Sequence, residues 1–309
     1  MTEHEAALIQ AIRARSKPTV PIVPELPGEF EELVCRPLSR SPRAILFDIY
    51  GTLFTSASGD IAATTRLAHE SAIARAWAAV FGTHLDADST RRIATVFRQT
   101  IDFAHDRARA NGVSQPEVEI REIWRSTLMG GSDTFSGREL SDELVEQFAL
   151  LFELEANPVW PMPGATDALT CLNQKMPVGL VSNAQFYTPL LFRALLGATP
   201  EEMGIDERLV AYSYRFGSAK PDRSLFHSPL AALAEQGIDS NQVVYVGNDM
   251  LNDVATARSA GCLTVLFAGD TRSLRLRHDH SHAGTVRPDS VARSLADVTS
   301  IVLKRKELP

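Results

Sequence analysis

Four short apolar runs punctuate the chain, and each stops at a polar residue or a glycine. Ala44-Ile45-Leu46-Phe47 ends at Asp48, with Gly51 just beyond; Val178-Gly179-Leu180-Val181 ends at Ser182-Asn183. Val243-Val244-Tyr245-Val246 ends at Gly247-Asn248-Asp249, and Leu263-Thr264-Val265-Leu266-Phe267 ends at Ala268-Gly269. Apolar runs of this length, each followed by turn residues, predict buried strands feeding tight loops. Helical patterns lie between them, from Thr166 to Asn173, Tyr187 to Leu196, Ser224 to Gln236 and Asn252 to Ser259. Alternation of this kind predicts an α/β fold with a parallel sheet covered on both faces by right-handed crossovers. The tail PDSVARSLADVTSIVL adds a last short strand and a helix.

Residues 59–158 break the alternation with helices alone. Ile73, Trp77, Val80 and Phe81 share one face of a helix that stops near Gly82. Ile93, Phe97, Ile101, Ala104 and Ala108 line a second, closed by the C-cap signal Asn111-Gly112. Pro116 is expected to open a third, carrying Ile120, Ile123, Trp124 and Leu128. Ser141 caps a fourth, with Leu144, Phe148, Leu151 and Phe152 on its face. The aromatic stripes read as bundle core. A helical module inserted after the first strand follows, with hinges around Ser56 to Gly59 and Asn157 to Pro163. The core then comprises residues 43–58 and 159–309.

Residues 1–42 stand apart. A helical pattern from Glu5 to Arg15 leads into KPTVPIVPELPG, where Pro18, Pro21, Pro24 and Pro27 recur every third residue and favour extended, polyproline-like backbone. A second short segment spans Phe30 to Cys35. The whole reads as a proline-rich arm lying along a domain.

Composition narrows the function. The chain of 309 residues is 44% hydrophobic and 22% charged, as in an ordinary globular protein, and its formal net charge of -7 disfavours nucleic acid as a partner. No apolar run approaches a membrane span, and the start MTEHEAALIQAIRARSKP lacks the layout of a secretory signal. Cys35, Cys171 and Cys262 lie far apart among apolar neighbours and are expected to be buried thiols, so a cytoplasmic location is inferred.

Polar residues gather where the strands end, and the carboxyl ends of parallel strands are where ligands bind. Asp48-Ile49-Tyr50-Gly51-Thr52 follows the first strand and Ser182-Asn183 the second; Lys220-Pro221-Asp222 sits in a loop after Tyr212, and Asp249 and Asp253 follow the next strand. Taken singly, each carboxylate would pass for a turn or capping residue. Together they place carboxylates, a lysine, a hydroxyl and an amide at one rim. That set suits phosphoryl transfer. A carboxylate becomes a competent nucleophile once its repulsion with phosphate is cancelled, and Mg²⁺ on one or two carboxylates can do that. Lysine adds a point charge, Ser182 and Asn183 can hydrogen-bond the transferring group, and Gly51 lets backbone approach it.

These segments resemble a known family. LFDIYGTLF, LVSNA, SAKPDRSLF and VYVGNDMLNDVATARSAG are similar, in order and spacing, to the four motifs of the haloacid-dehalogenase-like (HAD) hydrolases, over roughly residues 43 to 300. The resemblance implies a Rossmann-like core with a helical cap over 59–158. It carries the nucleophile onto Asp48, phosphoryl binding onto Ser182 and the lysine role onto Lys220. Gly51, Thr52, Asn183 and Tyr50 are expected to line the substrate. Magnesium is implied at Asp48, the backbone carbonyl of Tyr50 and Asp249, with Asp253 as ligand or neighbour of a ligand. The expected activity is that of a magnesium-dependent phosphatase acting on a small phosphorylated molecule.

The chain departs from the family pattern at two positions. Phosphatases of this family carry a second aspartate, two residues after the nucleophile, as general acid and base; here that position is Tyr50. A tyrosine, with an unperturbed pKa of about 10, is a poor proton shuttle near neutral pH. Asp-x-Tyr is also the pattern of the 2-haloacid dehalogenases, which use no metal. In the fourth motif, the usual first aspartate aligns with Asn248 or with Asp249, and Asp249 is preferred because it supplies charge. Three readings therefore stand: phosphatase, metal-free dehalogenase, and a binder on the same fold. His278, Asp279, His280 and His282 form a further cluster, read as solvent-facing loop residues.

Overall fold

The computed structural model describes residues 1–56, 66–132, 135, 139–281 and 283–304. Six parallel strands form the central sheet. In chain order they are β1 (Ala44–Phe47), β4 (Val178–Ser182), β5 (Val210–Tyr212), β6 (Val243–Gly247), β7 (Leu263–Phe267) and β8 (Ser290–Ala292), and their order across the sheet is β5-β4-β1-β6-β7-β8. Every residue of these strands is buried, which is why they read as unbroken apolar runs rather than alternating ones. The α/β, Rossmann-like reading holds. Three strands went unseen in the sequence: β5, only three residues long, and the two short strands of a separate ribbon, Phe54–Ser56 and Val159–Pro161.

Helices α7 (Ala165–Asn173), α8 (Thr188–Leu195) and α10 (His227–Glu235) lie on crossovers between strands, and α12 (Leu295–Leu303) follows the last strand. The helix expected from Asn252 starts two residues earlier. It opens as a π-helical turn over Met250–Ala255 and continues as α11 (Thr256–Ser259), with Asp249 as its N-cap. A capping carboxylate that bonds two amides of the first turn sets this start.

Two short antiparallel strands, β2 (Phe54–Ser56) and β3 (Val159–Pro161), carry the chain out of the core and back. Between them lie α3 (Arg66–Phe81), α4 (Ala87–Ala110), α5 (Ile120–Gly131) and α6 (Asp142–Ala156). The hinge residues Ala57 to Gly59 and the expected start of the insert lie outside the described residues. Ser56 Oγ donates to Asn157 Oδ1 at 2.9 Å, which pins one strand end of the ribbon to the end of α6. The aromatic stripes meet as expected: Phe97 stacks on Trp124 at 4.2 Å, and Phe148 and Phe152 meet the same indole edge-on at 4.8 and 4.7 Å.

One helix start differs from its sequence signal. Pro116 does not open α5. It runs extended and bridges Ser218 of the core, and Glu119 is the N-cap, its side chain accepting from Arg121 N. Proline suits either position; here the pairing with another segment, invisible to local pattern, wins.

The arm is built as expected and then packed. α1 (Glu3–Arg15) buries Leu8, Ile9 and Ile12, with a capping box at Thr2. His4 pairs with Glu146 of α6 at 3.0 Å, while Arg13 donates to Ala194 O of α8, so α1 touches both the insert and the core. Further on, Cys35 N donates to Val291 O and Val291 N donates to Leu33 O, each at 2.9 Å, adding the arm to the edge of β8. Of the cysteines only Cys262 is buried; Cys35 and Cys171 are half-buried, and all three are free thiols.

Candidate active site

Asp48 lies at the carboxyl end of β1, the middle of the sheet, where β4 and β6 flank it. Its Oδ1 accepts from Ser182 Oγ at 2.8 Å, from the end of β4, and from Lys220 Nζ at 2.7 Å. Its Oδ2 makes no hydrogen bond among the described residues. Asp48, Ser182 and Lys220 are all buried, so the pairing acts in a medium of low effective dielectric.

Lys220 is held on three sides. Besides Asp48 it donates to Tyr245 Oη at 2.8 Å and to Asp253 Oδ1 at 2.5 Å. Burial works against its charge, but Asp253 and Asp48 outweigh that, so its pKa is raised and it stays an ammonium. Burial pushes the Asp253 carboxyl up to about 7, with Lys220 pulling down and Asp48 and Asp249 pushing further up. Gly247 is required for this approach: a Cβ there would stand 2.3 Å from Asp253 Cγ.

The other expected residues divide. Asn183 does not offer its amide to a substrate. Its Oδ1 accepts from Lys220 N at 2.8 Å and its Nδ2 donates to Lys220 O at 3.2 Å, so it clamps the backbone that carries the lysine. Thr52 Oγ1 donates to Asn248 Oδ1 at 3.1 Å. Gly51 has φ +89, and a Cβ on it would lie 2.7 Å from the Asn248 amide. Its N–H is used by Phe54 O. Gly51 is therefore needed to seat Asn248 rather than to present an amide to ligand. Tyr50, half-buried, bonds Thr188 Oγ1 at 2.9 Å at the start of α8, and burial raises its phenol pKa further. The phenol therefore holds its proton at neutral pH and is a weak general acid.

Of the expected magnesium ligands, Asp48 and Asp253 meet on the Lys220 ammonium, and the Asp249 carboxylate is engaged elsewhere. Asp249 Oδ1 accepts from Leu251 N and Asn252 N. Both its oxygens also face Arg277, with Nη2 to Oδ2 at 2.7 Å and Nε at 3.3 and 3.2 Å. Asp253 spends Oδ1 on Lys220 and Tyr245 and Oδ2 on Asp249 N. Asn248, the alternative, has an amide oxygen already accepting from Thr52. Among the described residues no three His, Cys, Asp or Glu side chains gather as a metal site. The carbonyl of Tyr50 adds no net charge. As placed, this donor set does not fit a magnesium ion, which needs near-octahedral oxygen ligands with uncommitted charge. Asp249 is a helix N-cap carboxylate beside an arginine, so both of its oxygens are engaged.

His278, Asp279 and His280 are exposed, as expected, and His282 lies outside the described residues. A cleft of about 420 Å³ between arm residues Pro18 to Pro21 and Trp160 to Asp167 is lined by none of the site residues. Sequence reasoning missed Arg277, Thr188 and Tyr245. Only Tyr245, inside the fourth motif, sat where a motif search could have found it.

A family model described as haloacid dehalogenase-like hydrolase matches residues 42–261, more than half of the chain. The chain belongs to the haloacid dehalogenase-like hydrolases. Among the solved structures of this HAD fold, a 2-haloacid dehalogenase from Pseudomonas syringae pv. tomato DC3000 is 18% identical with a TM-score of 0.52, covering 84% of this chain and 98% of its own. A HAD phosphatase from Thermococcus onnurineus is 19% identical with a TM-score of 0.46, covering 84% and 98%. YfnB from Bacillus subtilis, classed as a HAD hydrolase and solved bound to magnesium, is 17% identical with a TM-score of 0.47, covering 86% and 100%. No curated protein matches the sequence. Of these, the likeness to the 2-haloacid dehalogenase, with its TM-score of 0.52, shows the fold and no substrate. Among the described residues no helix is long and apolar enough to cross a membrane.

Proposed function

We propose that this HAD hydrolase displaces a leaving group that departs as an anion without protonation, from a small 2-haloacid-type substrate, through an ester on Asp48 and without a divalent ion. The observation that carries the reading is that Asp249 is paired with Arg277 while Asp48 is paired with Lys220. The cation facing the nucleophile is then a lysine, enough for attack on neutral carbon and little for attack on a dianionic phosphoryl group. Tyr50 supports it, because halide leaves without the proton that Tyr50, a weak general acid, supplies poorly.

In this scheme an Asp48 oxygen attacks the carbon bearing the halogen, the carbon–halogen bond breaks, and halide leaves with the electron pair. Water then adds to the ester carbonyl of Asp48, the hydroxy acid departs, and the carboxylate is restored with release of a proton. Ser182 and Lys220 hold Asp48 Oδ1 throughout. They orient the carboxylate before attack and stabilise charge on that oxygen when the ester is hydrolysed. The four-helix insert serves as the cap that selects substrate and excludes water.

The magnesium-dependent phosphatase remains the second reading. What favours it is the acidity of the rim: Asp48, Asp249 and Asp253 are all retained, and attack on carbon has no use for three carboxylates. One experiment separates the two. Halide and phosphate release are measured on 2-haloacids and aryl phosphates, with magnesium and with excess chelator. Halide release unaffected by chelator supports the first reading; phosphate release that chelator abolishes overturns it. In either case Asp48→Asn should lose more than about 100-fold in turnover while staying folded, as expected when covalent catalysis is removed.

A further inference from the structure

The extended segment that replaces the expected start of α5 does more than join two helices. Glu117 N donates to Gly217 O at 3.1 Å and Ala219 N donates to Gln115 O at 2.8 Å, so residues 115–118 pair with the loop that carries Lys220. Ser114 Oγ reaches Asp222 Oδ2 at 3.0 Å, past the lysine. The insert therefore grips the Lys220 loop on both sides of the lysine.

The Glu117 carboxylate is the centre of this grip. Its Oε2 accepts from Ser213 Oγ at 2.7 Å. Its Oε1 accepts from Gln185 Nε2 at 3.3 Å and from Val118 N at 2.9 Å. Ser213 Oγ in turn accepts from Ala184 N at 2.9 Å. Gln185 donates to Val118 O at 2.9 Å and accepts from Ile120 N at 3.1 Å. Ser213 and Gln185 are buried. Ala184 and Gln185 follow directly on Ser182-Asn183, and Ser213 begins the segment that leads to Lys220. One carboxylate from the insert thus joins the two loops that bring Ser182 and Lys220 to Asp48. Asn183, clamping the Lys220 backbone, completes the circuit.

We propose that Glu117 is a positioning residue: seated between the Ser182 and Lys220 loops, it sets the distance of both from Asp48, so that the catalytic centre is complete only when the insert is docked. The proposal rests on the reading of Asp48, Ser182 and Lys220 as the reacting centre, whichever leaving group is right. Hydroxyl, amide and backbone donors converge on Glu117, and a carboxylate can accept from all of them. Glutamine has one acceptor oxygen and would set its own N–H groups against at least one of these donors. Displacement of a catalytic group by about 1 Å can cost roughly 10²-fold in rate.

The test compares the wild-type full chain with Glu117→Gln and Ser213→Ala. Two readouts are used. The first is kcat and KM on the substrate class the wild type turns over. The second needs no substrate: the ¹⁵N signal of the Lys220 ammonium in lysine-labelled protein, assigned with Lys220→Met. The expected result for Glu117→Gln is a fall in kcat of about tenfold or more, KM within about twofold, and a displaced Lys220 signal. A merely structural role would lower the melting temperature and leave that signal and kcat unmoved, and this outcome overturns the proposal. If Glu117→Gln does not fold, Ser213→Ala is read by the same criteria. If the wild type turns over neither substrate class, the reaction assignment fails by itself, and the Lys220 signal still decides: displaced, the positioning role stands; unmoved, it falls.

Discussion

Arg277 closes onto Asp249 through two nitrogens, Nη2 at 2.7 Å and Nε at 3.2 Å from Oδ2. The guanidinium occupies the approach to a carboxylate that would otherwise be open to a cation. With Arg277 in place, magnesium should leave the melting temperature of the wild type unchanged. Arg277→Gln removes the competing charge, and millimolar magnesium should then stabilise the variant, on the order of 1 kcal/mol if its dissociation constant is also millimolar or below. Thermal denaturation of both proteins with and without magnesium checks this. An equal shift in both would mean that the cation binds independently of Asp249.

Tyr50 is bonded to Thr188 rather than turned to proton transfer. Tyr50→Phe should cost about 1 kcal/mol of stability through loss of one hydrogen bond. It should change turnover of a halide-releasing substrate by less than about threefold, well below the ~10²–10⁴-fold of a lost general acid. The measurement is kcat beside urea denaturation. A loss of 10²-fold or more in a folded variant would make the phenol a catalytic acid.

Glu153, on α6, is buried beside Tyr187 and Asn157, and burial pushes its carboxyl up to about 7. A folded-state pKa above the unfolded one means that the native state keeps a proton the unfolded state releases. The resulting stability is fully present below about 4.5 and is lost as pH rises towards 7; over that window it amounts to roughly 3 kcal/mol. Glu153→Gln cannot ionise. Its melting temperature relative to wild type should climb between pH 5 and pH 7 and level off above. A difference independent of pH would show that Glu153 ionises normally in the fold.

Ile12 is fully buried in α1, between the insert and the core. Ile12→Ala should destabilise by about 2–5 kcal/mol, the range for a large-to-small change at a packed site. Chemical denaturation measures it. A cost below about 0.5 kcal/mol, typical of an exposed position, would mean that the arm lies loosely on the domain.

The strand ends were legible because each buried parallel strand is an apolar run closed by the residues that face the ligand rim. Asp48, Ser182, Asp249 and Asp253 could be placed there from local pattern, and Lys220 by its glycine- and serine-flanked loop. The aromatic stripes of α3 to α6 were legible for the same reason, since a helix buries one face at a fixed period. Fold class and family thus came from the chain itself.

Which charge meets which did not. Asp249 reads from sequence as a spare carboxylate; only folding brings Arg277, 28 residues on, against it. Asn183 reads as a ligand-facing amide until the Lys220 backbone, 37 residues away, takes both its ends. Pro116 reads as a helix start until Ser218 pairs with it. Glu153 and Glu117 lie in unremarkable helical and loop sequence, and their roles arise from burial and from donors contributed by distant loops. Local periodicity encodes what each segment buries, because that depends on its own side chains. The partners of a polar group depend on chain crossings and loop paths, and those exist only once the sheet and the insert have packed.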